Sequence, residues 1–509
     1  MLKTQKIKLT ILICMFLMLC IVAGLLIYRD HRYCMNVMMI KEDTLRDYTE
    51  DPSLDISALL FNGERVAADR ESNTIYISQP ADTFLHSSEL IGTLESADPD
   101  ISLYFIKNSA IKDIPASVHK GEPLSLAMVN AEHFRRINVI ITSLPVLRLE
   151  QLTLHQDESG QDIMTGNYTL WGSSTSSVEE YSLISGTTQW HIRGRSSTHL
   201  PKKSWKLSLK NVNGENQNQD LLGLGADDDW ILNSMNRDDT KVREKFTMDL
   251  WNGHIADPLD EYPMSKGQYI ELVINNEYRG LYLLMRRVDS KYLELDQQTD
   301  ILLKGISTLT ADTLPEGYEI ISSPYSDEKT YAILQSVLES KEAAPIQLKH
   351  FIKTNLFVNY CVAVDNTGYS NMFFVLRPFG SNYTMYFVPW DMDLTMGVFW
   401  NGGSVYDYSE TIHQILKRME YQQMKKYDLQ LDQITANLWN AYRDNLFTEA
   451  TIEKLLSDNI DSICKSGAYD RDLQKWGCLY NGTDTHSGLH QWCMERLSEL
   501  DSYYSQIIN

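Results

Sequence analysis

Short apolar runs separated by turn residues dominate the first third of the chain. Residues 74–78, 101–106 and 137–141 are rich in β-branched and aromatic side chains, and Asn-Gly, Asp and Pro residues separate these runs. This pattern is typical of strands joined by tight turns. We therefore predict a small β-rich module over residues 34–142.

Strand patterns continue into the rest of the chain, residues 143–509. Residues 204–209 alternate apolar and polar side chains, as a strand with one buried face does. Asn275 and Asn276 follow the strand-like residues 269–274, and such a pair indicates a hairpin turn.

Helical spacing of apolar residues occurs in three places. Residues 238–251 predict a helix whose acidic first turn suits the positive end of the helix dipole, and residues 351–364 predict another. The tail from about residue 411 to residue 509 predicts a helical C-terminal lobe. Strands and helices together predict an α+β fold for residues 143–509.

One segment near the beginning is apolar enough to cross a membrane. Residues 9–28 contain no charged side chain, and a helix of this length spans a bilayer core at about 1.5 Å per residue. No small-residue cleavage site stands out, so we predict a short cytoplasmic tail and an uncleaved transmembrane signal anchor over residues 1–33; a removed signal peptide is the alternative. The following residues are then expected to be extracellular, on a single-pass protein of the cell membrane.

The charge balance excludes one class of partner. The chain carries 46 Lys and Arg against 68 Asp and Glu, a net charge of −22. Such a chain repels the phosphates of nucleic acid and anionic lipid, so we expect no nucleic acid partner, and contact with the membrane only through the anchor.

The seven cysteines are too sparse for a disulfide scaffold. Cys478, His486, His490 and Cys493 have a spacing that could bind zinc, and a disulfide among the last three cysteines is a second alternative. We favour the interpretation that these cysteines have no special role.

Four polar residues flank a hairpin predicted over residues 372–390. Asp365 and Asn371 precede it, and Asp391 and Asp393 follow it. In an extended backbone residues i and i+2 face the same side, so Asp391 and Asp393 can reach one cation, to which Asn371 could add an amide oxygen. Such hard oxygen ligands suit Mg²⁺ or Ca²⁺. Asp365 remains free as a base, a division of roles that phosphoryl transfer requires. The alternative is that both later aspartates are ordinary turn residues.

A loop rich in glycine and hydroxyl side chains precedes the strand at residues 204–209 and leads into Lys202 and Lys203. Small residues let backbone N–H groups approach phosphate oxygens, so the loop favours a phosphate site. A basic hairpin on the surface is the alternative. Lys304 is a further cation at the end of a short apolar run.

Taken in order, these motifs resemble the spore coat protein H (CotH) kinases, atypical kinases whose catalytic core is related to that of protein kinases. The most specific match is the Pro-Trp-Asp-x-Asp stretch that follows a spaced Asp and Asn. The matching stretches, within about residues 140–500, include Arg193-Gly-Arg-Ser-Ser, Pro201-Lys-Lys-Ser-Trp, Asp239-Thr-Lys-Val-Arg-Glu-Lys, Gly280-Leu-Tyr-Leu-Leu, Pro389-Trp-Asp-Met-Asp-Leu-Thr-Met-Gly and Ser466-Gly-Ala-Tyr-Asp-Arg-Asp.

The resemblance implies a kinase-like catalytic domain over residues 143–509. It implies that ATP, with Mg²⁺ or Mn²⁺, is used to phosphorylate Ser or Thr side chains of a surface or coat protein. Asp365 matches the family's catalytic aspartate and Asp391 its metal-binding aspartate, with Asn371 and Asp393 beside them.

The resemblance also implies which cations bind nucleotide. Lys202 or Lys203 would be the nucleotide lysine, and the sequence does not distinguish between them. We expect Arg193 and Lys304 to contact the nucleotide as well.

The chain departs from the family's pattern at two points. Arg286 stands where an acid is common, so the acid of a lysine–glutamate pair would have to come from elsewhere. The interval from Asp365 to Asn371 is one residue longer, which makes Asn366 a competing ligand. Since ATP is also scarce outside the cytoplasm, the alternative function is a cell-surface binding or structural protein, a pseudokinase. A glycosyltransferase is a further alternative, because an Asp-x-Asp motif also suits a metal-bound sugar nucleotide.

Overall fold

The computed structural model describes residues 32–81, 90–107, 122–173, 180–194, 196–255, 262–306, 317–339, 345–366, 370–399 and 430–508. The predicted signal anchor lies outside these ranges, and no helix within them is long and apolar enough to span a bilayer. The described residues form a mixed α and β structure, which confirms the predicted α+β class.

The predicted β-rich module consists of short strands in two sheets. The main sheet has the order β1-β2-β9-β10-β11-β7-β6 with β3 beside β11, and β5, β4 and β8 form the second sheet. These strands are β1 (Arg32–Cys34), β2 (Val37–Lys41), β3 (Thr49–Glu50), β4 (Leu59–Phe61), β5 (Glu64–Arg65), β6 (Ala67–Asp69), β7 (Thr74–Ser78), β8 (Leu94–Ser96), β9 (Ser102–Lys107), β10 (Leu124–Val129) and β11 (His133–Thr142). Tyr76 of this module stacks on Tyr278 of the next unit, with 4.4 Å between ring centroids.

The next unit is a closed barrel of seven strands in the order β12-β13-β14-β15-β18-β20-β19. Its segment contains β12 (Val146–Gln156), β13 (Asp162–Ser173), β14 (Tyr181–Arg193), β15 (Ser204–Lys210), the two-residue strands β16 (Gln219–Asp220) and β17 (Ala226–Asp227), β18 (Asp229–Asn233), β19 (Gly267–Ile274) and β20 (Glu277–Arg286). Trp190, Leu207 and Trp230 are fully buried in its core. The predicted hairpin turn at Asn275 and Asn276 joins β19 to β20, and both residues have the positive φ of a tight hairpin turn.

A four-stranded sheet and helices complete the fold and share the largest apolar core. The sheet has the order β22-β21-β23-β24, with β21 (Ile301–Gly305), β22 (Tyr318–Ser322), β23 (Met372–Phe379) and β24 (Asn382–Pro389). The α-helices are α1 (Arg243–Leu250), α2 (Asp327–Glu339), α3 (Pro345–Cys361), α4 (Leu431–Arg443), α5 (Glu449–Lys465), α6 (Ala468–Trp476) and α7 (His486–Ile508), and 3₁₀ turns lie at Glu42–Asp47, Ile56–Ala58, Ser196–His199 and Val364–Asn366. Helices α4 to α7 confirm the predicted helical tail.

Helix α6 fastens this helical lobe to the barrel. Arg471 donates to both carboxylate oxygens of Glu271 in β19, at 2.6 and 3.1 Å. Asp472 accepts hydrogen bonds from Lys202 Nζ at 2.6 Å and from the backbone N–H of Leu281 at 2.9 Å. These charged contacts are buried, so the lobe and the barrel are held together by specific pairs as well as by apolar contact.

The helix predicted to begin at residue 238 begins five residues later. The Asp238 carboxylate accepts from the backbone N–H groups of Thr240 and Arg243, and Lys241 has a left-handed φ of 60°. This local turn replaces the first helical turn, because the aspartate offers the backbone an alternative partner. After α1 the chain continues as a π-helical turn, Trp251–Ile255.

Candidate active site

A cavity of about 400 Å³ lies between one end of the barrel and the four-stranded sheet. Asn236 and Arg237, which follow β18, contribute to its barrel wall. Six of the eight residues that the sequence suggested for the site also line it: Arg193, Lys304, Asp365, Asn371, Asp391 and Asp393. The fold thus brings cationic side chains and carboxylate side chains into the same cavity.

Asp365 is positioned by the 3₁₀ turn after α3. Its neighbour Asn366 donates Nδ2 hydrogen bonds to the backbone carbonyls of Asn371 and Trp390, at 2.8 and 2.5 Å. Both acceptors are carbonyl oxygens, so the amide orientation is fixed. Asn366 therefore ties the turn to the start of β23 and the end of β24, and its Oδ1 is buried with no hydrogen-bond partner among the described residues.

The Asp391–Asp393 segment differs from the expected extended backbone. Strand β24 ends at Pro389, and Asp391 has a left-handed φ of 60°. The expectation of an extended backbone is therefore wrong at Asp391, although both carboxylates line the cavity. Helix α1 contacts this segment through Glu244, whose Oε2 accepts a hydrogen bond from the Met392 N–H at 2.6 Å.

Arg243 reinforces this contact from the first residue of α1. Its guanidinium donates to the carbonyl of Thr395 at 2.9 Å and forms two 2.8 Å hydrogen bonds with Asp484, ahead of α7. Arg243 also pairs with Asp238 at 2.5 Å and is fully buried. One side chain thus links the aspartate segment, α1 and the helical lobe.

The carboxylates of the cavity repel one another. Burial and then the charge of Asp391 raise the pKa of Asp393 well above its usual range. Burial, Asp391 and Asp393 likewise raise the pKa of Glu244, and burial followed by Asp391 raises the pKa of Asp365. The neighbouring cations therefore do not fully compensate this negative charge.

Among the described residues, three cations lie near these carboxylates. Burial lowers the pKa of Arg193, against the opposing charges of Asp391 and Glu244. Lys304 Nζ lies over the rings of Phe373 and Trp390, at 5.6 and 6.0 Å from the centroids.

Arg237 is the third of these cations. Its charge partly offsets the raised pKa values of Asp365 and Asp393. The guanidinium therefore lies close enough to influence both the candidate base and a candidate metal ligand.

The donor set fits a divalent cation that is bound together with phosphate. Among the described residues, no three His, Cys, Asp or Glu side chains are grouped to hold a metal ion alone. Mg²⁺, however, commonly takes one or two carboxylates and completes its shell with phosphate oxygens and water. Asp391, Asp393 and the amide of Asn371 supply such oxygens, and the unpartnered Oδ1 of Asn366 lies on the adjoining turn. These residues therefore suit Mg²⁺ or Mn²⁺ that is bound together with phosphate, rather than a metal ion held by protein ligands alone.

Lys202 and Lys203 are not among the residues that line the cavity. Lys202 is fully buried against Asp472, and burial lowers its pKa to about 8. Lys203 Nζ donates to the carbonyls of Thr198 and Leu200, and so braces the loop before β15. The structure does not bring either lysine to the other site residues. The loop itself reaches the cavity through Gly194 and Ser197.

The proposed zinc and disulfide arrangements are absent from the described residues. Cys361, Cys464, Cys478 and Cys493 are all free thiols. His486, one of the suggested zinc ligands, lies against the Thr240 carbonyl at 2.9 Å through Nε2. That these cysteines have no special role stays a prediction.

The comparison with known families agrees with this geometry. A family model described as CotH kinase protein matches residues 190–500, which is more than half of the 509-residue chain. The chain belongs to the CotH kinase family. No curated protein matches the chain.

Within this CotH family member, Arg286 and Glu244 have different surroundings. Arg286 pairs with Asp227 at 3.0 Å and lies over the Trp230 ring, so its role is structural. Glu244 of α1 is instead the buried acid that lies near Arg193. The local sequence does not distinguish Glu244 as a site residue, although such a buried acid beside the buried Arg243 is unusual.

Proposed function

We propose that this CotH family member is a membrane-anchored extracytoplasmic kinase that transfers the γ-phosphoryl group of ATP to Ser or Thr side chains of a surface or coat protein. The observation that carries the proposal is the meeting of Asp365, Asp391 and Asp393 with Arg193 and Lys304 in one cavity. Phosphoryl transfer needs a base, oxygen ligands for a metal ion, and cations for the phosphates.

A second cavity supports a nucleotide as the donor. It has a volume of about 230 Å³ and shares Arg193, Lys304 and Trp390 with the first cavity. It adds apolar surface from Ile231 and Phe373. A charged cavity that adjoins a partly apolar one suits a molecule with a phosphate chain at one end and a planar base at the other.

In this proposal Asp365 accepts the proton of the acceptor hydroxyl as its oxygen bonds to the γ-phosphorus and the bond to the departing ADP breaks. Arg193 and Lys304 neutralise phosphate oxygens. Asp391, Asp393 and Asn371 hold the divalent cation, which when bound supplies positive charge that stabilises the phosphates. In the metal-free chain, burial and then the charge of Asp391 raise the pKa of Asp365.

Anchoring and location rest on the apolar residues 9–28. We expect the full chain to remain in membranes after alkaline extraction. On intact cells, an external protease should digest the residues that follow the anchor. Release by alkali, or full protection from the protease, would contradict this part of the proposal.

The test of activity uses the full chain in detergent with γ-labelled ATP, Mg²⁺ or Mn²⁺, and a Ser-rich acceptor. Asp365→Asn and Asp391→Asn should each lower label transfer by about 10²-fold or more, since they remove a base and a metal ligand. Asp43→Asn, at an exposed pair with Arg46, is the matched control and should retain transfer. Nucleotide binding without transfer in the unmodified chain would instead indicate a pseudokinase, the alternative that the departures from the family's pattern favour.

A further inference from the structure

Two hydrogen-bond donors in the cavity have no role in the site described so far. Nδ2 of Asn236 is enclosed and has no acceptor among the described residues. Arg237, the next residue, also lines the cavity. Its guanidinium has no hydrogen bond or ion pair at contact distance within the described part of the chain.

The backbone that carries these two side chains is tightly held. Asp239 accepts from the N–H groups of Leu479 and Tyr480, at 2.8 and 2.7 Å. Tyr480 in turn donates its hydroxyl to the Arg237 carbonyl at 3.1 Å, and Lys241 Nζ donates to the Met235 carbonyl at 3.1 Å. The main chain around residues 236 and 237 is thus fixed at both ends.

A rigid segment that leaves two donors unused is the arrangement expected of a preorganised anion site. A buried donor without an acceptor costs stability, and a ligand oxygen removes that cost. Donors fixed in advance stabilise charge without reorganising during the reaction, which is how such groups lower barriers.

The position of Arg237 indicates which anion is bound. It lines the same cavity as Asp365, the candidate base, and Asp393, a candidate metal ligand. In phosphoryl transfer the group that lies between the base and the metal is the phosphoryl group in transit. Negative charge is spread over the oxygens of that group in the transition state.

We infer that Asn236 Nδ2 and the Arg237 guanidinium bind the oxygens of the phosphoryl group during transfer, which makes both of them catalytic residues. This inference rests on the proposed kinase function. The acceptor oxygen forms its bond to phosphorus, the bond to ADP breaks with its electron pair going to ADP, and the hydroxyl proton goes to Asp365. Asn236 and Arg237 donate hydrogen bonds throughout and exchange no proton.

The first test is a binding measurement on the full chain in detergent with Mg²⁺. It compares ADP with an imido-bridged ATP analogue that retains the γ-phosphate. Arg237→Gln should lower the affinity for the analogue by about 10-fold or more and leave the affinity for ADP within about twofold. Only the analogue carries the γ-phosphate that Arg237 is inferred to contact. The affinity of Arg237→Lys for the analogue should lie between those of the unmodified chain and Arg237→Gln. Lysine keeps the charge but lacks the two-pronged guanidinium.

The outcomes separate this inference from the proposed function. If the unmodified chain binds neither nucleotide, both fail. If it binds both and Arg237→Gln weakens them equally or not at all, the inference alone fails. Arg46→Gln, which removes a highly exposed arginine on the β-rich module, is the matched control and should change neither affinity.

The second test separates phosphoryl contact from a merely electrostatic effect on Asp365. If Arg237 only lowers the pKa of Asp365, Arg237→Gln will shift the acidic limb of the rate–pH profile to higher pH and leave the plateau unchanged. We expect the plateau to fall by about 10²-fold, and a fall of similar size for Asn236→Ala. An unchanged plateau, or an effect confined to the KM of an acidic acceptor peptide, would overturn the inference.

Discussion

Two groups of charged side chains in this chain have opposite electrostatic character. The closed cluster consists of Lys202, Lys241 and Asp472, with Asp472 bonded to Lys202 at 2.6 Å and 3.7 Å from Lys241. All three side chains are nearly or completely buried.

The open cluster consists of Asp365, Asp391, Asp393 and Glu244. Asp391 and Asp393 help to raise the pKa of their neighbours, and Asp391 is exposed to the cavity. Its negative charge exceeds what the adjacent arginines compensate.

The difference distinguishes structural charge from functional charge. A buried ion that already has its partner inside the fold has little left to offer a ligand. Carboxylates that are held together without enough positive charge are destabilising until a cation arrives, and perturbed groups of this kind concentrate at functional sites. The comparison therefore indicates a structural role for Lys202 and supports the proposed role of the Asp391–Asp393 segment.

The largest expected effect on stability comes from disrupting the closed cluster. Asp472→Ala leaves Lys202 buried without its carboxylate, so the free energy of unfolding should fall by about 3–5 kcal/mol, as measured by urea denaturation. Lys202→Met combined with Asp472→Leu removes both charges and should recover much of that loss. A small effect of Asp472→Ala would mean that this pair does not hold the helical lobe to the barrel.

A smaller effect of opposite sign is expected in the open cluster. Asp393→Asn removes one of the repelling charges, so without a divalent cation the unfolding free energy should rise by roughly 0.5–2 kcal/mol while phosphate transfer is lost. Stability and activity thus change in opposite directions, as at a site kept for function. Destabilisation by this isosteric change would show that the carboxylate is structural.

The smallest effect concerns pH. The folded-state pKa values of Glu244 and Asp393 are raised, so the folded chain binds protons more tightly than the unfolded chain. The contribution of these groups to stability is present below the ordinary carboxylate pKa, near 4, and is lost as pH rises through the raised pKa. Thermal unfolding between pH 5 and pH 8 without metal should show this decline, and Asp393→Asn should reduce it. The same slope in both proteins would contradict the assignment.

The sequence predicted more of the secondary structure than of the side-chain roles. β7 and the hairpin turn at Asn275 and Asn276 follow from local patterns, because alternation and turn chemistry act over a few residues. The role of Lys202 could not be predicted, because its partner Asp472 lies 270 residues away and only the docking of α6 brings them together.

The roles of the residues that support the Asp391–Asp393 segment could not be predicted from local sequence either. Glu244 and Arg243 occupy one short helix, and their contacts reach Met392 and Asp484. The left-handed φ of Asp391 was not evident from the local sequence either. Motif order identified the site, and long-range packing decides which charges face the cavity.

The most direct test of the central claim is calorimetric titration of the full chain with Mn²⁺ in the presence of ADP. We expect a single site in the unmodified protein and in Asp43→Asn, which removes an exposed carboxylate of the β-rich module. Asp391→Asn combined with Asp393→Asn should lower the Mn²⁺ affinity by about 10-fold or more, because it removes both carboxylate ligands. Unchanged Mn²⁺ affinity in this double variant would contradict the claim that the uncompensated carboxylates form the metal site.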